Sequence, residues 1–79
     1  MQNTTTKFEE MRRSLGRVTA NIEAADARIR QQTKRIDELA RDGLDITLAV
    51  RVLQVIHDSR DASVQHRDVL LERINFCLR

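Results

Sequence analysis

Ten positions in the first half of the chain, Phe8, Met11, Leu15, Val18, Ile22, Ala25, Ile29, Gln32, Ile36 and Leu39, follow one another in alternating steps of three and four. That spacing lays them along one seam of an α-helix, as in a coiled coil or helix bundle. The second half carries a matching stripe of Ile46, Ala49, Leu53, Ile56, Arg60, Ser63, Arg67, Leu70, Ile74 and Cys77. Set antiparallel, the two stripes meet rung by rung, from Leu39 with Ile46 down to Phe8 with Cys77. The fold class this predicts is all-α, an antiparallel two-helix hairpin of coiled-coil type.

The ends of both helices carry their own signals. Thr6 and Glu9 stand in the relation of a capping box, which predicts a first helix from about residue 7 to residue 41. At 1.5 Å per residue it would be roughly 50 Å long. Asp42-Gly43 follows the last stripe residue, and Gly43 can take the left-handed conformation that ends a helix. Leu39 is then the third residue from the end, and Leu44 can fold onto it as the apolar clasp of a Schellman ending. Asp45 is placed to cap the next helix, with its carboxylate toward the amides of Thr47 and Leu48. The turn is therefore expected over 42–45 and the second helix over about 46–76. Ile46, Leu48, Val50 and Val52 alternate with smaller or polar residues and are rich in β-branching, a pattern shared with strands. No second strand exists to pair with it, so the helix is expected to prevail.

A chain of 79 residues is one thin domain, 1–79, and a thin domain needs a staple or a partner. The single cysteine, Cys77, cannot bridge internally, and no cysteine–histidine spacing suggests a zinc site. The missing burial is expected from self-association or another protein. Residues 1–6 lack the apolar core of a secretory signal, so a cytoplasmic location is expected. The longest apolar stretch, Ile46 to Ile56, is broken by Arg51 and Gln54 and is too short to span a bilayer.

The second helix is apolar well beyond its stripe. One flank carries Val55, Ala62, Val69 and Phe76, widened by Leu48 and Val52; the other carries Val50, Val64 and Leu71. Only the strip of Thr47, Arg51, Gln54, Asp58, Asp61, Gln65, Asp68, Glu72 and Asn75 is consistently polar. One neighbouring helix cannot cover so broad an arc. The expectation is a homodimer that completes a four-helix bundle, with a groove for another protein's helix as the alternative. The outer face of the first helix holds Gly16, Ala20, Ala24 and Ala27, a spacing that can let another helix approach closely, with alanine's preference for helix the plainer account. Basic residues outnumber acids on the first helix, and the second shows its acids along the polar strip, a division that can orient an assembly.

Arg60 and Arg67 interrupt the second stripe, opposite Ala25 and Val18. Burying two guanidinium groups without partners would cost several kcal/mol each. Their stems are expected to pack while the heads escape sideways, toward carboxylates such as Asp26 or Glu23, or else the stretch is open to a partner. His57 and Asp61 share a face one turn apart, but no third metal ligand accompanies them. No nucleophile with its base, buried carboxylate pair or glycine-rich phosphate loop is present. The chain is expected to be no enzyme and to use neither metal nor cofactor. A net charge of +2 is too small to argue for nucleic acid, and the arginines of the first helix are interleaved with acids.

The stretch from Leu39 through Asp42-Gly43-Leu44-Asp45 to Ala49, followed by Leu53, Ile56, Ser59 and His66-Arg67-Asp68, resembles small helical-hairpin proteins frequent in alphaproteobacteria. The likeness spans about Ile22 to Ile74 and is carried by capping and heptad residues. It implies the hairpin fold and no particular activity. The position of Arg60 is usually apolar in that pattern, which hints at a specialised interface here. In size and form the chain is also similar to regulators that sequester a transcription factor, such as the rhizobial quorum-sensing antiactivators.

The function expected is that of a small interaction module, a regulator that occludes a partner such as a transcriptional activator. Its partner-binding residues are expected to be Leu48, Val52, Val55, Val69 and Phe76 as apolar anchors, with Arg60 and Arg67 giving orientation. A purely structural homo-oligomer is the alternative, and a nucleic-acid accessory protein a more distant one.

Overall fold

The computed structural model describes residues 3–78. They form helix α1, Asn3–Arg41, and helix α2, Thr47–Leu78, folded back on each other as a hairpin. No strand occurs among the described residues, so the β-branched run at the start of α2 is helical. Its side chains have no neighbouring ladder to join, whereas the helix satisfies its own backbone. The rod measures 64 × 15 × 14 Å.

All ten stripe positions of α1 are buried or half-buried, as are nine of the ten of the second stripe, which begins at Ile46 just before α2. The exception is Cys77, which is exposed, so the rung expected between Phe8 and Cys77 is open on the α2 side. The centre of the seam is a cluster of Val18, Ile22 and Leu70, with Leu15 and Val64 packed against it. Val64 belongs by pattern to the open flank but is half-buried. It is drawn inward where Arg60, Ser63 and Arg67 leave the α2 stripe poor in apolar atoms.

The turn follows the glycine. Gly43 has φ of 73°, its N–H donates to the carbonyl of Ala40 at 3.1 Å, and Leu44 N–H donates to the carbonyl of Leu39 at 2.9 Å. That pair of bonds is the Schellman ending, and it satisfies two of the carbonyls that a helix end leaves free. The side chain of Leu44 stays 55% exposed, so the apolar clasp expected on Leu39 is loose.

At the start of α2 the carbonyl of Ile46 accepts the first helical bond, from Val50 N–H at 2.9 Å. Ile46 therefore holds the cap position and Asp45 stands one residue earlier. The Asp45 carboxylate accepts from Thr47 N–H at 2.9 Å and from the Thr47 hydroxyl at 2.7 Å. These two bonds, the backbone one foremost, hold its carboxyl below the usual range. The amide of Leu48 is not among its donors, a correction that follows from this one-residue offset.

The start of α1 also differs from expectation. The helix is under way at Asn3, so Thr6 lies one turn inside it and cannot cap the free amides at the terminus. The capping-box pattern is short and local, and continuing the helix by one more turn overrides it.

Gly16 sits inside α1 with nothing within 4 Å of where a Cβ would stand. Gly16→Ala is therefore expected to stabilise the hairpin by about 1 kcal/mol, by removing a glycine from a helix interior without a clash. Thermal unfolding followed by circular dichroism checks this. A loss of stability would mean that another helix approaches closely at Gly16.

Candidate protein–protein interface

The exposed large apolar side chains of the described residues are Leu44 in the turn and Leu48, Val50, Val52, Val55, Val69, Leu71, Phe76 and Leu78 on α2. None lies on α1, because every large apolar residue of that helix is spent on the seam. The asymmetry follows from the two sequences. Helix α1 has a stripe two residues wide in each heptad, whereas α2 adds apolar residues on either side of its own.

All five expected anchors are at the surface. Leu48 is 73% exposed, Val55 67% and Phe76 77%, with Val52 and Val69 less so. A phenylalanine or leucine left this open in a folded protein marks an unsatisfied surface rather than scatter when its neighbours are open too. Near the free end of the hairpin this flank borders a groove of 1030 Å³, between Lys7, Met11 and Ser14 of α1 and Val69, Arg73 and Phe76 of α2. Sequence reasoning did not reach the α1 side of that groove. Of the α1 residues that border it, Met11 belongs to the stripe, and Lys7 and Ser14 lie beside it on its polar shoulder.

The two arginines of the seam behave differently. Nε of Arg60 donates to Oδ1 of Asp26 at 2.5 Å, across the hairpin, with both side chains about a third exposed. Arg67 reaches only its sequence neighbour, with Nη2 3.5 Å from Oδ1 of Asp68. Its Nε is shielded from solvent and finds no hydrogen-bond partner among the described residues. Thus Arg60 is held by the fold, and Arg67 packs its stem while its head escapes sideways. Neither arginine lies with the five apolar anchors: both interrupt the seam that faces α1.

Gln32, a polar residue on the α1 stripe, donates from Nε2 to the carbonyl of Ala49 at 2.9 Å. This bond pins the register of the two helices near the turn. Its signal in the sequence was an amide at a position that otherwise takes an apolar side chain.

Among the described residues no group of three or more His, Cys, Asp and Glu side chains lies close enough to hold a metal ion. No described helix is long and apolar enough to cross a membrane. Comparison with protein-family models, with curated proteins and with solved structures gave no match. The chain is thus defined by its architecture: a helical hairpin with one polar helix and one helix apolar beyond its seam.

Proposed function

We propose that this chain is a non-enzymatic protein–protein interaction module that works through the apolar flank of α2. As a regulator it would lay this flank against a helix of its target and so cover the target's own working surface. A transcriptional activator is the class of target that the size and form suggest. The observation that supports this reading is the confinement of every exposed large apolar side chain of the described residues to α2 and the turn. Leu48, Val52, Val55, Val69 and Phe76 supply anchors of the kind that a helix-in-groove contact uses. Arg60 and Arg67 lie on another face and would act only on a partner that also reaches the hairpin seam.

The test compares the wild-type chain with Val55→Asp/Val69→Asp as tagged bait in the native host. The extract is nuclease-treated and bound proteins are identified by mass spectrometry. Wild type is expected to hold a stoichiometric protein, foreign or its own, and the double variant to lose at least about tenfold of it, since a carboxylate desolvated without a partner costs several kcal/mol. Circular dichroism should show both chains equally helical, because both sites are exposed. Equal capture by the two chains would overturn this surface.

A structural homo-oligomer is the second reading: the rod leaves more surface open than a compact monomer does, and a second copy would cover it as well as a foreign partner would. The chain exposes 6332 Å², whereas a compact monomer of its mass exposes about 4,900 Å².

A further inference from the structure

We infer that the apolar flank of α2 is the contact of a symmetric antiparallel dimer, in which α2 lies along α2 of a second copy with Ala62 on the two-fold axis. This rests on the second reading above, the homo-oligomer, and names the occupant of the flank; a foreign helix would dock there only in place of the second copy.

The flank is a straight row. Leu48, Val55, Ala62, Val69 and Phe76 recur every seven residues over nearly the whole of α2. In a helix supercoiled with its hairpin partner they form a line roughly 130° round from the seam. A helix laid on this line does not compete with α1.

The row is self-complementary. A two-fold axis through Ala62 sets Leu48 against Phe76 of the second copy and Val55 against Val69, and it leaves no rung unmatched. The smallest residue lies at the centre, where two crossing helices come closest, and the largest lie at the ends, where they diverge. This is the form an isologous contact takes.

On the side of the row away from the seam the charges obey the same axis; on the side nearer the seam, Arg73 falls opposite Val52 of the other copy. Arg51, Asp58, Gln65 and Glu72 form the adjacent polar line. In an antiparallel pair each flank meets its own equivalent. Arg51 of each copy therefore stands opposite Glu72 of the other, and Asp58 opposite Gln65. A parallel pair would instead stack Leu48 on Leu48 and leave Arg51 and Glu72 at opposite ends of the helix.

The rod also has surface to spare. The exposed surface of 6332 Å² exceeds that of a compact monomer by about 1,400 Å², and a standard interface takes about 800 Å² from each partner. The charged flanks of α1 stay outside, so the assembly has the two α2 helices as its inner pair.

The test uses the full chain with Cys77→Ser, so that the exposed native thiol does not cross-link by itself. Val55→Cys and Val69→Cys chains are mixed in a glutathione redox buffer, and the disulfides formed are mapped by mass spectrometry. The expected product joins position 55 of one chain to position 69 of the other, the pair that the axis brings face to face. A product dominated by 55–55 and 69–69 links would mean a parallel pair and overturn the proposal.

Sedimentation equilibrium on the uncross-linked chain should give a dimer. Arg51→Glu should weaken it about tenfold, by turning two attractions into repulsions, and Arg51→Glu/Glu72→Arg should restore it. An unaffected dimer in Arg51→Glu would overturn the axis. A monomeric wild type whose capture of a foreign protein is still lost in Val55→Asp/Val69→Asp overturns the dimer alone. A dimer that survives Val55→Asp/Val69→Asp overturns the reading of the flank itself.

Discussion

Leu70→Ala is expected to destabilise the hairpin by about 3 kcal/mol, the mid-range for truncating a leucine in a core. Leu70 is the one buried residue that α2 contributes, at 5% exposure, and it closes on Val18 and Ile22. Its neighbours one turn either way along the stripe, Arg67 and Ile74, are only half-buried, so the apolar packing of α2 at this cluster rests on Leu70 and the half-buried Val64. A chain of 79 residues has a total stability of about 4–12 kcal/mol. The loss is therefore a large fraction of the whole, and should lower the midpoint of thermal unfolding by roughly 12–24 °C. Leu71→Ala is the control. Leu71 is 42% exposed, and its truncation should change stability by no more than about 0.5 kcal/mol. Equal losses from the two substitutions would mean that α2 does not present the Leu70 face to α1.

The face on which that prediction depends was legible in the sequence because period is a local property. An unbroken three–four alternation can be satisfied only by a helix with that seam inward, and the Asp42-Gly43 ending is written in adjacent residues. What was not legible depended on neighbours in space. The pattern gave Val64 to the open flank, yet Val64 turns inward because the stripe beside it holds two arginines and a serine. Thr6 carried a valid capping signal that was overridden by helix continuing upstream of it. Asp45 stands one residue outside the cap position, an offset that turn geometry decides and composition does not.

The candidate interface was legible in the same partial way. The breadth of the apolar arc on α2 showed that something beyond α1 must cover it. Period alone did not separate residues that would be half-covered by α1 from those left open. Leu48, Val55 and Phe76 are the most open of the expected anchors; Val52 lies nearer the seam, and Val69, on the same row as the three, is less open than they are. Arg60 and Arg67 do not share that flank. They share the seam, and the fold itself occupies Arg60 through Asp26.

Arg67→Met is expected to stabilise the hairpin by about 1–2 kcal/mol. The shielded Nε of Arg67 has no hydrogen-bond partner among the described residues, and such a donor carries a desolvation penalty of about 1–3 kcal/mol. Methionine keeps the unbranched stem that packs along the seam and removes the donor. What is given up is the contact with Asp68 at 3.5 Å, between side chains 38% and 61% exposed, and pairs of that kind contribute no more than about 1 kcal/mol. Arg60→Met is the contrast, made at the equivalent position one heptad earlier. It strips Asp26 of its cross-hairpin partner, so any gain from apolar packing is offset and the net change should stay within about 1 kcal/mol of zero. Chemical denaturation of both variants checks the pair. A destabilised Arg67→Met would mean that the guanidinium is satisfied in solution and is part of the fold. A stabilised Arg67→Met that also loses its captured protein would mean the reverse. An arginine retained where methionine folds better is then held there by a contact outside the hairpin, and the partner must reach past the flank of α2 to the seam.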